Sequence, residues 1–338
     1  MPFGAEAIAL AATCIKAGGI IAVPTETVYG LAADARDAAA VARIYAAKGR
    51  PSFNPLIVHV LDLASAERIA VFDATARALA ERFWPGPLTL VLPLREETGV
   101  ASLVTAGLAT VAVRVPAHRA MRGLLEATGA PIAAPSANRS NGVSPTRAAH
   151  VVASLGDAAP LVIDDGPCAA GVESTIVAGR TILRPGPITA EMLEEVFPEF
   201  PGEGRGPVKM VSRVGGQPSP ISTVVTGPWP SPGNTDMGRA DIGDIIAPGQ
   251  LASHYAPTKP LRLDATVAAA DEWLIGFGPV AGDATLSATG DLAEAAARLF
   301  DALHTADASP AERIAVAPVP WNDLGSAIND RLRRAARR

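Results

Sequence analysis

Short apolar segments alternate with alanine-rich segments along about the first 195 residues of this 338-residue chain. The apolar segments have the length and β-branched composition of buried strands, and the alanine-rich segments favour helices. The predicted strands are 20–24, 56–60, 88–94, 110–116, 131–135, 161–164, 174–178 and 181–185. The predicted helices are 4–17, 38–47, 74–84, 117–128, 146–155 and 189–196. Such interleaving predicts one α/β domain around a mostly buried sheet.

Only Gly179 and Arg180 separate the last two predicted strands. A two-residue connection that contains glycine is typical of a β-hairpin, whose strands are antiparallel. The sheet is therefore expected to be mixed.

Residues 198–257 interrupt the alternation, because they are dense in glycine and proline and have little periodicity. A segment this long without regular structure is uncommon inside a domain and indicates a linker or a functional lid. Beyond it, the predicted strands are 261–264, 272–277 and 312–320, and the predicted helices are 290–304 and 324–336. We therefore predict a first domain over 1–197, a linker over 198–257 and a small α/β domain over 258–338.

Composition excludes several classes of protein. Hydrophobic residues make up 49% and charged residues 19% of the chain, which excludes a disordered chain. A net charge of −5 argues against a basic coat for nucleic acid. No apolar run reaches the ~18 residues of a membrane helix, and no signal peptide is recognised. The two cysteines, Cys14 and Cys168, lie far apart, which favours a reducing cytoplasm.

Several catalytic motifs are missing from the sequence. It contains no phosphate-binding G-x-x-x-x-G-K-[ST], no G-x-G-x-x-G after a strand, no H-E-x-x-H and no G-x-S-x-G. The sequence thus offers no obvious nucleophile and no protein-bound metal site.

Polar residues instead gather where predicted strands end, which is where open α/β sheets bind ligands. Thr25, Glu26 and Thr27 directly follow the first strand, and Tyr29-Gly30 is predicted to form a turn. Hydroxyls and a carboxylate in this place suit a small polar ligand. An equally weighted alternative is that they cap the next helix.

A second cluster lies in the loop KGRPSFNP and the strand after it. Lys48 and Arg50 flank a glycine without acidic neighbours, which favours an anion site, most simply for phosphates. Asn54 precedes a proline, and His59 lies on the strand. The alternatives are a solvated loop for the two cations and, favoured from position alone, a satisfied core histidine for His59.

Arg114 interrupts an otherwise apolar strand. If it is buried, its guanidinium needs a carboxylate or phosphate partner, which is either a structural Asp or Glu or a bound carboxylate ligand. A further cluster of small and hydroxyl-bearing residues follows the strand 131–135 and suits an anion-binding nest of backbone amides. Its alternative is an ordinary polar surface loop. Ser136, Asn138, Ser140, Asn141 and Ser144 belong to this cluster, and Ser174, Thr175 and Arg184 extend the same chemistry.

Together these clusters supply cations, hydroxyls and amides. This combination favours an enzyme that binds two anionic reactants and joins them by positioning and charge stabilisation.

Seven motifs carry a resemblance to a known family: PTETVYGLAADA, KGRPSFNPLIVH, FWPGPLTLVL, VAVRVP, APSANRSNGVSPT, GVESTIV and ILRPGPIT. They occur in one order over residues 15–190, and this part of the chain resembles the YrdC-like domain. PGQLASHYAP at 248–257, followed by a small α/β domain, resembles the two-domain form of the L-threonylcarbamoyladenylate synthases.

The resemblance implies an open twisted mixed α/β sheet around a positively lined groove, a linker across that groove and a smaller Rossmann-like second domain. It implies condensation of L-threonine, bicarbonate and ATP into threonylcarbamoyl-AMP and pyrophosphate, with magnesium accompanying ATP. A tRNA-threonylcarbamoyl transferase complex would then use the product for tRNA modification in the cytoplasm. Weak RNA binding is a further expectation, and membrane association is not expected.

Residue roles follow from the resemblance alone. Residues expected to hold L-threonine are Thr27, His59, Arg114, Ala134 and Ser174, with the carboxylate of the substrate as the partner of Arg114. Residues expected to hold ATP are Lys48, Arg50, Asn54, Thr110, Ser136, Ser144 and Arg184. Lys48 and Arg50 are also the expected catalytic residues, and His254 and Tyr255 of the linker would lie over the site.

Two alternatives remain open. A YrdC-like enzyme could form carbamoyl-adenylate instead, although such enzymes carry zinc-finger-like cysteines and this chain has two cysteines. An RNA-binding module without synthase activity is the other alternative, against which the net charge and the few aromatic residues argue.

Overall fold

The computed structural model describes residues 1–49, 54–198 and 255–337. The first two ranges form a larger α/β unit, and the third forms a smaller one. Most of the predicted linker, including His254, lies outside the described residues, and so does Arg50 in the loop after α2.

Helices of the larger unit agree with the expected positions. They are α1 (Ala5–Lys16), α2 (Ala38–Lys48), α3 (Leu63–Glu67), α4 (Ala74–Phe83), α5 (Ser102–Thr105), α6 (Arg119–Thr128), α7 (Ala148–Leu155) and α8 (Ala190–Val196). The short helices α3 and α5 were not expected. Helix α2 ends at Lys48 because Gly49, at φ +58°, takes the left-handed conformation that stops a helix.

Nine strands form one mixed sheet in this unit. They are β1 (Ile21–Pro24), β2 (Tyr29–Asp34), β3 (Ile57–His59), β4 (Leu88–Pro93), β5 (Thr110–Arg114), β6 (Ile132–Ala133), β7 (Leu161–Val162), β8 (Thr175–Ala178) and β9 (Thr181–Arg184). Their order is β7-β1-β2-β6-β3-β5-β4-β8-β9. The predicted hairpin is confirmed, because β8 and β9 pair antiparallel around Gly179 and Arg180.

Strand β2 corrects one expectation. Tyr29 and Gly30 do not form a turn: they begin β2, which pairs antiparallel with β1 so that Tyr29 lies opposite Pro24. The alternative of a helix cap is also wrong, because the next helix, α2, is capped by the side chain of Asp37. The chain reverses earlier, over Thr25 to Val28, where the Thr25 amide donates to the Val28 carbonyl oxygen at 3.2 Å.

Side-chain alternation gives this sheet two different faces. Val111 and Val113 of β5 pack into the large helix-covered core. Ala112 points the other way and packs with Ile57, Val91 and Ile176 in a separate small apolar cluster. Residues of β5 two positions from Ala112, which are Thr110 and Arg114, therefore lie on the face turned away from the main core.

The smaller unit has four parallel strands in the order β10-β13-β11-β12. Its elements are β10 (Leu261–Arg262), β11 (Glu272–Gly276), β12 (Ala284–Thr285), α9 (Leu292–Ala308), β13 (Arg313–Val316) and α10 (Leu324–Ala336). Strand β12 was not expected. A smaller second α/β unit with its own sheet, as predicted, is confirmed.

The two units share a hydrophobic core. Val28, Val143 and Val172 of the larger unit pack in one buried cluster with Phe300 and other residues of the smaller unit. Gly171 shows how close the backbones approach, because a Cβ built there would lie 2.3 Å from the Ala296 carbonyl oxygen. The smaller unit is therefore docked next to the segments that bear the candidate site.

Candidate active site

The turn between β1 and β2 is held by its own hydroxyl groups. The Thr25 hydroxyl donates to the Val28 carbonyl oxygen at 2.7 Å and accepts from the Thr27 amide at 3.1 Å. The Thr27 hydroxyl lies 2.8 Å from that of Thr25, and both side chains are buried. This turn presents Glu26 and Thr27 toward the end of β5.

Arg114, at the end of β5, is buried and has partners within the protein. Its Nη1 donates to the Thr27 hydroxyl at 2.9 Å and its Nε to the Gly86 carbonyl oxygen at 3.1 Å. Its Nη2 lies 2.7 Å from Glu26 Oε1. Of the partners left open by the sequence, the structure thus shows a structural glutamate, and the substrate is not needed to compensate the charge.

The contact between Arg114 Nη2 and Glu26 has the distance of an ion pair but not the geometry of a hydrogen bond, and Nη2 makes no hydrogen bond to the described residues. Burial alone would raise the pKa of Glu26, but the neighbouring positive charge of Arg114 and the Ala117 amide, which donates to the carboxylate, lower it. The carboxylate is therefore ionised at neutral pH. Arg114 is balanced in charge yet keeps hydrogen-bond donors for a ligand.

His59 lies directly opposite Arg114, because β3 and β5 are parallel and pair in that register. Burial, followed by the positive charge of Arg114, lowers the pKa of His59 to about 3. The imidazole is therefore neutral at physiological pH. Its Nδ1 is buried and makes no hydrogen bond to the part of the chain that the structure describes. His59 is thus a buried histidine with one ring nitrogen that lacks a hydrogen bond, whereas a fully satisfied core histidine would have a partner at that atom.

Ser174, just before β8, is surrounded by buried polar side chains. Its hydroxyl lies 2.7 Å from that of Thr89 on β4. Arg184 donates to its carbonyl oxygen at 3.1 Å and 2.8 Å and to its hydroxyl at 3.1 Å. Both Thr89 and Arg184 are buried, and burial lowers the pKa of Arg184. Thr89 was not among the predicted site residues, although a threonine inside the apolar strand LTLVL was a signal for it.

Lys48 is buried and holds the loop that follows β6. Its ammonium lies 2.5 Å from the carbonyl oxygens of both Ser136 and Asn138. Because only 3% of Lys48 is exposed, the alternative of a solvated loop cation is wrong for this residue. Strand β2 holds the same loop from the other side, since the Ala137 amide donates to the Tyr29 carbonyl oxygen at 2.8 Å.

One open pocket joins many of these groups. Of the predicted site residues, those that line it are Thr27, His59, Arg114, Ala134, Ser136, Ser174, Arg184 and Tyr255. The pocket is also lined by Thr25, which belongs to the first predicted polar cluster. Its remaining lining residues were not expected at the site: Val28, Gly30, Leu56, Ile57, Pro135 and Glu173.

Four predicted ATP residues lie outside that lining. Thr110 is on the same face of β5 as Arg114 but at the other end of the strand. Asn54 is buried just before β3, and Lys48 lies beneath the loop of Ser136. Ser144 is buried and donates its hydroxyl to Glu173 Oε1 at 2.5 Å. Between Arg114 and Thr110, the sheet face is the apolar cluster around Ala112.

The described ranges contain neither a group of three or more His, Cys, Asp or Glu side chains suited to a metal ion nor a helix long and apolar enough to cross a membrane. The two cysteines are free thiols.

Comparisons with known proteins agree with this geometry. A family model described as "Telomere recombination" matches residues 13–186, and one described as "Threonylcarbamoyl-AMP synthase, C-terminal domain" matches residues 188–337. The threonylcarbamoyl-AMP synthase of Bacillus subtilis is 36% identical over 97% of this chain and 92% of its own length. That of Pyrococcus abyssi is 36% identical over 97% of this chain and 94% of its own.

The crystal structure of P. abyssi Sua5 complexed with L-threonine superimposes with a TM-score of 0.80 at 35% identity, covering 99% of this chain and 96% of that one. Fold and pocket therefore define a two-domain enzyme with a YrdC-like first domain. The chain belongs to the threonylcarbamoyl-AMP synthase family.

Proposed function

We propose that this chain condenses L-threonine, bicarbonate and ATP into threonylcarbamoyl-AMP and pyrophosphate. The observation that carries the proposal is a pair of neighbouring groups in one pocket. Arg114 Nη2 and His59 Nδ1 are both buried and both without a hydrogen bond to the described residues. Buried polar atoms of this kind are costly unless a ligand satisfies them.

L-Threonine fits this end of the pocket. Its carboxylate would accept hydrogen bonds from Arg114, and its hydroxyl or amine would pair with the neutral ring of His59. The hydroxyls of Thr27 and Ser174 and the backbone of Ala134 complete the polar lining. A neutral His59 contributes no charge, so the carboxylate would be recognised by Arg114 within its balanced pair with Glu26.

ATP would lie along the sheet face from this pocket toward Thr110. The buried apolar cluster of Ile57, Val91, Ala112 and Ile176 lies on this face between Arg114 and Thr110. Ser136, Arg184, Asn54 and Ser144 are proposed to hold the nucleotide or its phosphates. Lys48 would act partly by holding the Ser136 loop, and Arg50 is proposed as a second cation.

The reaction requires no protein nucleophile. The threonine amine combines with bicarbonate, releasing water, to give a carbamate. A carbamate oxygen then forms a bond to the α-phosphorus of ATP, and the bond from that phosphorus to pyrophosphate breaks. Lys48 and Arg50 would stabilise the charge that develops on the phosphates, together with magnesium that enters as part of the ATP substrate.

Pyrophosphate release with ATP and bicarbonate, with and without L-threonine, tests the proposal. We expect release to depend on threonine and the product to have the mass of threonylcarbamoyl-AMP. Release without threonine would instead favour carbamoyl-adenylate formation. RNA binding without any turnover would favour the binding module.

The product would pass to a tRNA-threonylcarbamoyl transferase complex, since an activated carbamoyl-adenylate needs an acceptor. A cytoplasmic location is part of the same proposal. Free cysteines and the use of ATP and tRNA support it.

A further inference from the structure

Arg331 of the smaller unit is completely buried against the larger one. It lies on α10 with 0% of its side chain exposed. Its Nε lies 2.9 Å from Glu173 Oε2, its Nη1 donates to the Pro185 carbonyl oxygen at 2.6 Å, and its Nη2 donates to the Glu173 carbonyl oxygen at 3.3 Å. A buried guanidinium is tolerated only with such partners.

Each of these partners is next to a candidate site residue. Glu173 directly precedes Ser174, and Pro185 directly follows Arg184. The second carboxylate oxygen of Glu173 accepts the hydroxyl of Ser144 at 2.5 Å. One side chain from the smaller unit thus contacts, directly or through one carboxylate, the segments that carry Ser144, Ser174 and Arg184. We call these segments the ATP-side wall.

A fourth contact of Arg331 is with the aromatic ring of Tyr255. The guanidinium carbon of Arg331 lies 5.4 Å from the ring centre of Tyr255, which lines the pocket. The centre of the Tyr255 ring also lies 5.7 Å from that of Phe300. Arg331 therefore contacts Tyr255 as well as the wall.

Another arginine crosses the same interface without this connection. Arg147 on the larger unit pairs with Asp301 on α9 at 2.7 Å. Its side chain is 48% exposed, and neither residue lines the pocket. Arg147 thus provides a matched comparison between simple docking and an effect on the site.

We propose that Arg331 is a positioning residue through which the smaller unit fixes the ATP-side wall. The inference rests on the proposed function for the identity of the ligand, but the connection from Arg331 through Glu173 to Ser144 is independent of it. Arg331 has no contact with Thr27, His59 or Arg114. Ser174, whose hydroxyl is proposed to hold L-threonine, belongs to the wall, but that hydroxyl is also held by Thr89 at 2.7 Å. The threonine end should therefore depend on Arg331 less than the ATP residues do.

The first experiment compares steady-state kinetics of Arg331→Lys and Arg331→Gln with those of Arg147→Gln. We expect the KM for ATP to rise roughly tenfold or more in both Arg331 variants, because neither Lys nor Gln can donate at once to the Glu173 carboxylate, the Glu173 carbonyl oxygen and the Pro185 carbonyl oxygen. The KM for L-threonine should stay within about threefold. Arg147→Gln should alter neither, since an exposed pair contributes little.

Combination with Ser144→Ala separates positioning from general destabilisation. If Arg331 acts through Glu173 and Ser144, Arg331→Gln should raise the KM for ATP less in the Ser144→Ala background than in the wild type. Equal effects in both backgrounds, or parallel increases in both KM values, would overturn the proposal.

Amide hydrogen exchange of the ligand-free protein gives an independent readout. We expect faster exchange at 141–146, 173–176 and 184–186 in Arg331→Lys than in Arg147→Gln, with helix α10 still protected. Unchanged exchange in these segments would contradict the proposal even if the wild type had no synthase activity. A wild type without threonine-dependent turnover but with the expected exchange would overturn the proposed function alone.

Discussion

Glu26 Oε1 lies 2.7 Å from Arg114 Nη2 in the candidate threonine pocket, although 88 positions separate the two residues in the chain. The carboxylate also accepts the amides of Ala117 and His118 at 3.2 Å and 3.3 Å. The pair is thus fixed by the backbone that follows β5. A substrate carboxylate would bind beside an arginine whose charge is already matched.

Glu26→Gln should lower the free energy of unfolding by about 3 kcal/mol, because it leaves the buried Arg114 without its counter-ion. L-Threonine should raise the Tm of this variant more than that of the wild type, since its carboxylate would replace the missing charge. Thermal unfolding with and without threonine measures both effects. Glu67→Gln, which breaks the more exposed pair with Arg77, is the control and should cost less than about 1 kcal/mol. An unchanged Tm in Glu26→Gln would contradict this account of the pair.

His59 should make stability depend on pH. Its pKa is about 3 when folded, against an ordinary value of 6.5, so the unfolded state binds a proton first as the pH falls. Stability from the neutral ring is present above pH 6.5 and is lost progressively as the pH falls toward 3. Between pH 7 and pH 5 this one residue should account for about 2 kcal/mol, which His59→Gln should remove. Urea unfolding of the wild type and of His59→Gln at both pH values measures this difference. If the free energy of unfolding changed equally with pH in the two proteins, His59 would not be buried as a neutral ring.

Thr89→Val should raise the KM for L-threonine by roughly three- to tenfold, because the Ser174 hydroxyl loses its neighbour while side-chain volume is conserved. The kcat should change less than the KM, as expected for a loss of ground-state binding. Thr105→Val is the control: Thr105 is equally buried and donates to the Ser102 carbonyl oxygen at 3.2 Å, away from the pocket. Equal kinetic effects of the two substitutions would argue against a role for Thr89 at the site.

Gly171→Ala should weaken docking of the two units. The added Cβ would lie 2.3 Å from the Ala296 carbonyl oxygen, and Gly171 also has a φ of +68°. We expect a loss of several kcal/mol, as in overpacked interiors. Gly179→Ala also places alanine at a positive φ, +57°, but nothing lies within 4 Å, so it should cost only about 1–2 kcal/mol. Chemical denaturation would measure both, and similar losses would indicate strain alone.

Arg50→Ala should reduce the rate of pyrophosphate release by on the order of 10²-fold or more, because a cation that stabilises phosphate charge is lost. Arg50 lies outside the described residues, so this prediction rests on the sequence. Arg43→Ala, on the exposed surface of α2, serves as a control with the same change in net charge. Near wild-type release by Arg50→Ala would remove its catalytic role.

Much of the fold was predictable because helices and strands are encoded locally. Helix α10 spans the predicted residues 324–336, and the hairpin of β8 and β9 follows from its short glycine-containing connection. Strand β2 was missed for a physical reason: its buried part, Tyr29 to Ala33, contains a glycine and two alanines and no β-branched residue, so it lacks the composition of a buried strand.

Residue types at strand ends were also sufficient to indicate a ligand site, and motif order indicated the family. The sequence could not show which polar side chains satisfy one another. Position alone favoured a satisfied core histidine at His59, and only the family resemblance assigned it to L-threonine. Its ring lines the pocket, and its Nδ1 makes no hydrogen bond to the described residues.

Pairing between distant residues was decided only by the tertiary structure. The register of β3 against β5 puts His59 beside Arg114, and the β1–β2 turn adds Glu26 to them. Docking of the smaller unit likewise brings Arg331 to Glu173, 158 positions away. Sequence patterns determine which residues form an element and which face they occupy, because those depend on near neighbours along the chain. Charge partners depend on sheet order and register, which arise only when the whole chain packs.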